Sequence, residues 1–382
     1  MKTVCIVSNF FNYTFDLRVK YLYEYFKQKG CKVYIVTSDF DHRTKNYFCV
    51  DNSDAIVIHT MNYKRNMSLD RMLSHYLFAK AAYRKCVLLC PDVVYVLTPP
   101  NCLFYFFSRF KKNCHNKITK IYYDVWDLWP ETIPLGKNLK LVLMPLFYLW
   151  KLIRNYSLSY NDNIFFECKY FLDYLKVQNN LCNCDVLYLK KDNKLDYLEN
   201  LKISNTIDLL YLGSINNLLD IDFMLNILQV LKSKYDICLH IIGNGEKLDR
   251  FTDLLKKDSI KFIKHGMIFD EKEKLDIISN CHFALNIMKK SVFVGLTMKS
   301  LDYFYYGIPI INNIRGDSMD IIEKYNCGFN VDENSYKKII KLINNLTDDS
   351  YSLMRENARK VYLEIFSSDK IYDELDIIDW FG

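Results

Sequence analysis

Residues 295–309 place a cation and a carboxylate side by side at the start of a predicted helix. Lys299 lies in the first turn and Asp302 follows three residues later, so their side chains share one helical face. Free amides at a helix start attract phosphate, and Thr297 is a suitable N-cap residue. A cation for a phosphate beside a carboxylate for a ribose diol is what a nucleotide-sugar site needs. The alternative is an ordinary surface helix with an ion pair between these two residues.

A second chemically rich segment, residues 124–131, carries three carboxylates, two tryptophans and a proline. It follows a predicted strand over 118–123, and ligands of parallel α/β sheets bind at the carboxyl ends of strands. Carboxylates there can act as a base or bind hydroxyls, and tryptophan faces suit sugar rings. A packed corner with capping acids is the structural alternative, but position and composition together favour a site.

These segments must be positioned by an alternation of strands and helices that runs through the whole chain. Strand, loop, helix and strand follow one another from residue 4 to 38 and again from 207 to 242, which is typical of parallel sheets with helices on both faces. At 382 residues the chain is too long for one core. We therefore predict domains over 1–190 and 207–366, joined by a polar linker, and a terminal helix over 367–382. One apolar helix is predicted over 140–160.

Composition restricts the class of protein. Half of the residues are hydrophobic and a quarter are charged, as in a soluble globular protein, and no apolar run reaches the length of a membrane span. The thirteen cysteines form no repeated C-x-x-C pair, which argues against a zinc site. Their odd number and a first segment that reads as a strand predict reduced thiols and a cytoplasmic protein.

Charge is distributed unevenly. Residues 1–190 contain 26 Lys and Arg against 15 Asp and Glu, whereas the remainder contains 25 against 30. A basic first half suggests an anionic partner, and we favour an anionic membrane surface reached as a peripheral protein. Nucleic acid is not expected as a partner, because the chain carries no nucleic-acid-binding motif.

Six segments together resemble the retaining GT-B glycosyltransferases of the large family 4 type, in particular bacterial surface-polysaccharide transferases. In chain order they are Asp16-Leu-Arg-Val19, Thr98-Pro-Pro100, Tyr123-Asp-Val-Trp-Asp-Leu-Trp-Pro-Glu131, Tyr211-Leu-Gly-Ser214, Ile241-Ile-Gly-Asn-Gly245, and Lys299-Ser-Leu-Asp-Tyr303 with Gly307-Ile-Pro309. The last is the most specific, since it resembles the donor-site signature K-x-x-E-Y-x-x-x-G-x-P.

This resemblance implies a GT-B fold, in which two Rossmann-like, doubly wound domains face each other across a cleft and a C-terminal helix crosses back to the N-terminal domain. The C-terminal domain would bind a nucleotide sugar and the N-terminal domain the acceptor, a saccharide for which we favour a lipid-linked form at the inner face of the plasma membrane. It also implies transfer with retention and no metal or other cofactor, the leaving phosphates being stabilised by amides and cations.

The resemblance also assigns site residues. Asp302 would bind the ribose hydroxyls, and Lys299 and Lys290 would hold the diphosphate with the segment Gly295-Leu296-Thr297. Donor contacts are further expected from Gly213, Asn244 and Phe269, the last beside the base. Arg18 and Asp127 would line the acceptor side, and with Lys299 they are the candidate catalytic residues.

The chain departs from the family pattern at three places. Val294 stands where many relatives have a glutamate, residues 214–220 lack the usual Arg and Lys, and Trp126 replaces a histidine. A subgroup that uses Lys299 instead would explain these changes. A non-catalytic partner subunit and a sugar-nucleotide epimerase of the same architecture are the alternatives.

Overall fold

The computed structural model describes residues 1–11, 17–110, 119–133, 135, 137–179, 181, 183–192 and 201–381. The chain divides into two compact units, of which the first comprises Met1–Lys190 with Asp369–Gly382 and the second Lys191–Ser368. Each unit contains a parallel sheet with helices, so the predicted α/β class with two sheets is confirmed. Asp16 of the first resemblance segment and linker residues 193–200 lie outside the described residues.

The first unit is built on a seven-stranded parallel sheet with the strand order β5-β2-β1-β6-β7-β8-β9. Every residue of its central β6 is buried, which explains the continuous apolar sequence of that strand. A short antiparallel hairpin, β3–β4, follows β2. The strands are β1 (Thr3–Ser8), β2 (Lys32–Ser38), β3 (Phe40–Asp41), β4 (Asn46–Tyr47), β5 (Ala55–Ile58), β6 (Val93–Thr98), β7 (Lys120–Val125), β8 (Asn163–Phe166) and β9 (Cys184–Val186).

The helices of the first unit depart from prediction in one respect. The single helix predicted over 140–160 is two helices, because Pro145 cannot donate an amide hydrogen bond and its ring would clash with the preceding turn, so a new helix begins at Met144. The helices are α1 (Leu17–Gln28), α2 (Leu69–Leu89), α3 (Cys102–Phe107), α4 (Lys137–Val142), α5 (Met144–Leu158) and α6 (Lys169–Asn179).

The second unit is built on a six-stranded parallel sheet with the order β12-β11-β10-β13-β14-β15. Its strands are β10 (Thr206–Leu212), β11 (Asp236–Ile242), β12 (Lys261–Gly266), β13 (Phe283–Asn286), β14 (Ile310–Asn312) and β15 (Gly328–Asn330). Its helices are α7 (Ile221–Lys232), α8 (Leu248–Lys257), α9 (Glu271–Ile278), α10 (Met298–Tyr305), α11 (Asp317–Tyr325), α12 (Ile339–Asn344) and α13 (Asp348–Val361).

The end of the chain packs on the first unit through α14 (Ile371–Asp376) and the residues after it. The Tyr25 hydroxyl donates to the Leu375 carbonyl at 3.2 Å, and the rings of Phe26 and Trp380 meet edge to face with centroids 5.0 Å apart. Leu375 and Trp380 are buried in the same apolar cluster as α1. Aromatic burial therefore holds the last residues against the first sheet.

Candidate functional site

Two glycine-bearing turns in the second unit lie against each other where β10 and β11 end. A Cβ atom on Gly243 would stand 2.1 Å from the Gly213 carbonyl oxygen, and one on Gly245 would stand 2.3 Å from the Ile215 carbonyl oxygen. Both glycines also have φ in the left-handed half of the map, at 147° and 155°. The Ile215 amide donates to the Asn244 carbonyl at 2.9 Å, which joins the turns. Only glycine permits this close approach of the two loops.

Beside these turns is an open cavity of about 580 Å³. Three predicted donor residues, Gly213, Asn244 and Phe269, line it, so the structure brings them together. The Phe269 side chain is 73% exposed, which leaves an aromatic face free for stacking. The sequence reasoning missed Met267 and Lys274, which also line the cavity; their only signal was their position after β12 and on the next helix.

Lys299 projects from the first turn of α10 towards the first glycine turn. Its ammonium donates to the Tyr211 hydroxyl at 3.2 Å and lies 4.5 Å from the centre of that ring, while the Tyr211 hydroxyl donates to the Ser214 carbonyl at 3.0 Å. Burial lowers the pKa of Lys299 to about 8. Within the described chain no carboxylate lies within ion-pair distance of Lys299, which leaves its charge available to an anionic ligand.

Asp302 is held by a residue from the beginning of the second unit. The Lys191 ammonium lies 2.6 Å from Asp302 Oδ1 and 3.4 Å from Glu271 Oε2, and the Tyr306 hydroxyl donates to Glu271 at 2.6 Å. The alternative ion pair between Lys299 and Asp302 is thus not formed. A diol that binds Asp302 would have to share or displace Lys191.

A buried amide network fixes the start of α10. Asn286 Nδ2 donates to Ser300 Oγ at 3.0 Å and to Asn312 Oδ1 at 2.9 Å. Thr297 is the N-cap residue of α10, as predicted, with the extended backbone of that position. Its hydroxyl makes no cap hydrogen bond and donates instead to Asn286 Oδ1 at 3.0 Å. The corresponding feature of the sequence is that β13, β14 and β15 each end in asparagine.

The remaining predicted donor residues have other partners or are buried. Gly295 is not one of the described glycines with positive φ. Its carbonyl accepts hydrogen bonds from the Ser318 amide at 2.8 Å and from the Ser318 hydroxyl at 2.9 Å. Leu296 is buried. Lys290 pairs with the exposed Glu333 at 2.8 Å. Their contacts with a diphosphate stay a prediction.

Arg18 is buried inside the first unit, where it cannot line an acceptor surface. Its Nη1 donates to Asp124 Oδ2 at 2.8 Å, and the Tyr95 hydroxyl donates to the same oxygen at 2.8 Å. A second guanidinium nitrogen donates to the Leu187 carbonyl. Burial raises the pKa of Asp124, and the charge of Arg18 opposes that rise. The Arg18 side chain is 1% exposed, and its contact with Asp124 joins α1 to β7.

Asp127 lies in the segment 124–131 of the first unit, which we call the acidic loop. Its carboxylate is held by residues that follow it closely in the chain. It accepts hydrogen bonds from Trp129 Nε1 at 2.6 Å and from the Thr132 hydroxyl, and burial raises its pKa. The third acid of the loop, Glu131, forms a two-pronged ion pair with the buried Arg154 at 2.6 and 3.0 Å. Asp127 is the loop acid that stays a candidate for substrate contact.

One group among the described residues could hold a metal ion. Ligand atoms of Asp208, Cys238 and His240 lie within 4.8 Å of one another, and all three side chains are half-buried. They belong to the strands β10 and β11 rather than to the loops that line the cavity.

Comparison with known proteins places these features in context. Residues 195–361, which include every element that lines the cavity, match the family model described as glycosyl transferases group 1. No curated protein matches the sequence.

Three solved structures show the fold. The apo form of the lipopolysaccharide outer core galactosyltransferase WaaB is 14% identical, with a TM-score of 0.67 and 98% of each chain covered. HepE from Anabaena in complex with UDP is 11% identical, with a TM-score of 0.66 and 99% of each chain covered. WaaG, a glycosyltransferase involved in lipopolysaccharide biosynthesis, is 13% identical, with a TM-score of 0.62, and 99% of this chain and 100% of that chain are covered. The chain therefore has the GT-B fold.

Proposed function

We propose that this protein is a glycosyltransferase that moves a sugar from a nucleotide-sugar donor to a saccharide acceptor with retention and without a metal ion. The observation that carries the proposal is the cavity at the paired glycine turns, with Lys299 beside the first of them. HepE has also been solved in complex with UDP-glucose, which supports a nucleotide sugar as the ligand of such a fold.

The side chains around the cavity suggest how the donor binds. We propose that the base stacks on Phe269, that Asp302 accepts hydrogen bonds from the ribose, and that the diphosphate lies between the glycine turns and Lys299. Negative charge grows on the leaving diphosphate as the glycosidic bond breaks. A fixed ammonium and fixed amides stabilise that charge without having to reorganise, which lowers the barrier.

We further propose that the acceptor is lipid-linked, in surface-polysaccharide synthesis, and that the first unit reaches it at a membrane. Helix α5 is strongly apolar, yet only Arg154, Ser157 and Leu158 are buried on it. Helices α4 and α5 together expose ten large apolar side chains, at positions 139, 141, 142, 144, 146, 148, 149, 152, 153 and 156. Apolar faces in a basic unit favour an anionic lipid surface. No described helix has the length and apolarity needed to cross a membrane.

The second candidate function is a non-catalytic partner of an active transferase. The observations that favour it are Val294 at a position where the resemblance expects a glutamate and the ion pair that occupies Asp302. The two functions differ in nucleotide-sugar binding, because a pure scaffold needs none.

A thermal-shift screen of the full chain against UDP-, GDP- and dTDP-sugars tests the proposal. A donor at a hundred times its dissociation constant stabilises the folded state by about 2.7 kcal/mol. We expect one nucleotide class to raise the melting temperature of the wild type and to raise that of Asp302→Ala by about half as much or less. Equal shifts in both proteins would contradict the site assignment, and no shift with any donor would favour the scaffold.

A further inference from the structure

Two cations in the first unit share one aromatic ring. The Lys45 ammonium lies 4.7 Å and the Arg71 guanidinium carbon 5.8 Å from the centre of the Tyr63 ring. Asn66 ties them together, since its side-chain oxygen accepts from Lys45 and its backbone carbonyl accepts from Arg71 Nη1 at 2.8 Å. We call Lys45, Tyr63, Asn66 and Arg71 the cation pair site.

No ion pair neutralises this site among the described residues. Burial lowers the pKa values of Lys45 and Arg71, and the more distant charges of Asp41 and Asp127 only partly oppose that fall. The charge of Arg71 lowers the pKa of Lys45 further. Burial, with the charges of Arg43, Arg71 and Lys45, lowers the pKa of the neighbouring His42 to about 4. Burial, with the charge of Arg71, lowers that of His75 to about 3, so both imidazoles are neutral at pH 7. In the described part of the chain no carboxylate lies within ion-pair distance of either cation.

Three further features favour an anionic ligand here. Arg71 lies in the first turn of the 21-residue helix α2, whose N-terminus carries partial positive charge. The Tyr63 side chain is 3% exposed, and its hydroxyl makes no hydrogen bond of normal geometry among the described residues. Burial raises the pKa of Tyr63, and the nearby Arg71 guanidinium opposes that rise. The Arg71 guanidinium also lies 4.8 Å from the ring of Trp129, in the loop that carries Asp127. The site thus adjoins the acidic loop.

We propose that the cation pair site binds an anionic group, a phosphate or a carboxylate, carried by the saccharide acceptor. This inference rests on the proposed function, because it assigns the site to the acceptor. Two partly buried cations at one ring repel each other, and an anion between them removes that repulsion. The planar guanidinium and the compact ammonium together match the several oxygens of such a group.

Calorimetric titration of the full-length protein tests the proposal with glucose 6-phosphate, glucuronate and neutral glucose as probes. We expect the two anionic probes to bind at least about tenfold more tightly than glucose, a difference of about 1.4 kcal/mol. Lys45→Met and Arg71→Met should each weaken the anionic probes about tenfold and leave glucose unchanged. Lys85→Met, an exposed position near the other end of α2, is the matched control and should behave like the wild type.

Parallel measurements separate this inference from the donor site. UDP binding is titrated in the same samples and should be equal in all four proteins. If the anionic probes bind the wild type no better than glucose, or bind the methionine variants equally well, the inference is overturned even when UDP binds. If UDP fails to bind while the probes still require Lys45 and Arg71, the anion site stands and the donor proposal falls.

Two further experiments test whether the anion is a lipid headgroup and whether charge is what binds it. In a sedimentation assay, vesicles of phosphatidylglycerol replace the sugar probes. If the vesicles bind in a way that depends on Lys45 and Arg71 while the sugar probes do not bind, the site belongs to a lipid headgroup and the acceptor assignment is overturned.

Arg71→Lys keeps the charge but loses the planar fork and the stacking on Trp129. We expect it to bind the anionic probes between wild type and Arg71→Met, and an affinity equal to that of Arg71→Met would contradict a charge-based site.

Discussion

The Lys299 ammonium makes donor affinity depend on pH. Its pKa is lowered to about 8 by burial, so it is mostly charged at pH 7 and mostly neutral at pH 9. If only the charged form holds the diphosphate, UDP affinity should fall about tenfold between pH 7 and pH 9. Calorimetry at the two pH values measures this. Lys299→Met should bind UDP weakly and equally at both, and a wild type whose affinity does not change would contradict the assignment.

The same pKa gives a prediction for stability with the opposite sign. Because burial lowers the folded-state pKa below the ordinary value of 10.5, the charged form of Lys299 destabilises the native protein. This destabilisation is fully present below about pH 8 and is relieved as pH rises from about 8 towards 10.5. Lys299→Met should therefore lose donor binding at pH 7 without lowering the melting temperature. A large fall in melting temperature would show that Lys299 is a structural residue instead.

Sequence reasoning could find Lys299 and Asp302 but not their partners. Lys299 meets Tyr211, 88 residues away, and Asp302 meets Lys191, 111 residues away, and neither pairing leaves a local signal. The reverse holds for Arg18, whose motif is visible in the sequence. Its burial beside Asp124 could not be predicted, because that burial depends on the packing of α1 against β6 and β7.

Among the elements, the paired glycine turns are the most sensitive to substitution. Gly243→Ala would drive a Cβ to 2.1 Å from the Gly213 carbonyl oxygen, so the turns must separate. We expect a loss of more than about 2 kcal/mol in the free energy of unfolding and loss of UDP binding. Gly30→Ala is the control, because Gly30 also has positive φ but an open Cβ position, and about 1 kcal/mol with unchanged UDP binding is expected there. Equal effects of the two changes on urea denaturation and UDP titration would contradict the steric argument.

The ion pair between Glu131 and Arg154 joins the acidic loop to α5. Arg154→Met leaves Lys151, 3.3 Å away, as the one cation among the described residues that offsets the charge of Glu131, and should cost about 3 kcal/mol in the free energy of unfolding. Adding Glu131→Gln removes the unpaired charge and should recover a large part of that loss. Urea denaturation of the two variants measures both effects, and a double variant no more stable than the single one would contradict the electrostatic cause.

Prediction of elements succeeded where apolar runs were bounded by clear turn residues. The predicted strand, helix and strand from residue 4 to 38 are β1, α1 and β2, and those from 207 to 242 are β10, α7 and β11. The amphipathic helices α6, α8, α9 and α11 were not predicted, because their apolar residues are few and mixed with charge. The asparagines that end β13, β14 and β15 have meaning only once those strands are neighbours in the sheet.

For the whole molecule, the exposed apolar face of α4 and α5 predicts membrane binding. We expect the protein to sediment with phosphatidylglycerol vesicles more than with phosphatidylcholine vesicles, and less so at high salt. Leu141→Glu with Val142→Glu should weaken binding about tenfold or more, because two exposed apolar side chains are lost from the contact. Leu353→Glu, also at an exposed apolar position but in the second unit, should have no effect. Equal binding by all three proteins would contradict the assigned face.

The architecture of the whole molecule was easier to predict from the sequence than its individual elements or side-chain contacts. A repeated strand–helix order indicates two parallel sheets without any knowledge of side-chain contacts, and six segments spread over the chain indicated the GT-B fold that the solved structures share. The order of strands within each sheet was not predicted, since it depends on the crossover connections rather than on the sequence of any single strand.

Calorimetric titration of UDP-, GDP- and dTDP-sugars into the full-length protein and into Asp302→Ala tests the nucleotide-sugar site most directly. We predict saturable binding of one nucleotide class to the wild type and a loss of at least about tenfold, or about 1.4 kcal/mol, in the variant. Absence of binding by every donor, or equal affinity of the two proteins for the donor that binds, would contradict a nucleotide-sugar site at the paired glycine turns and α10.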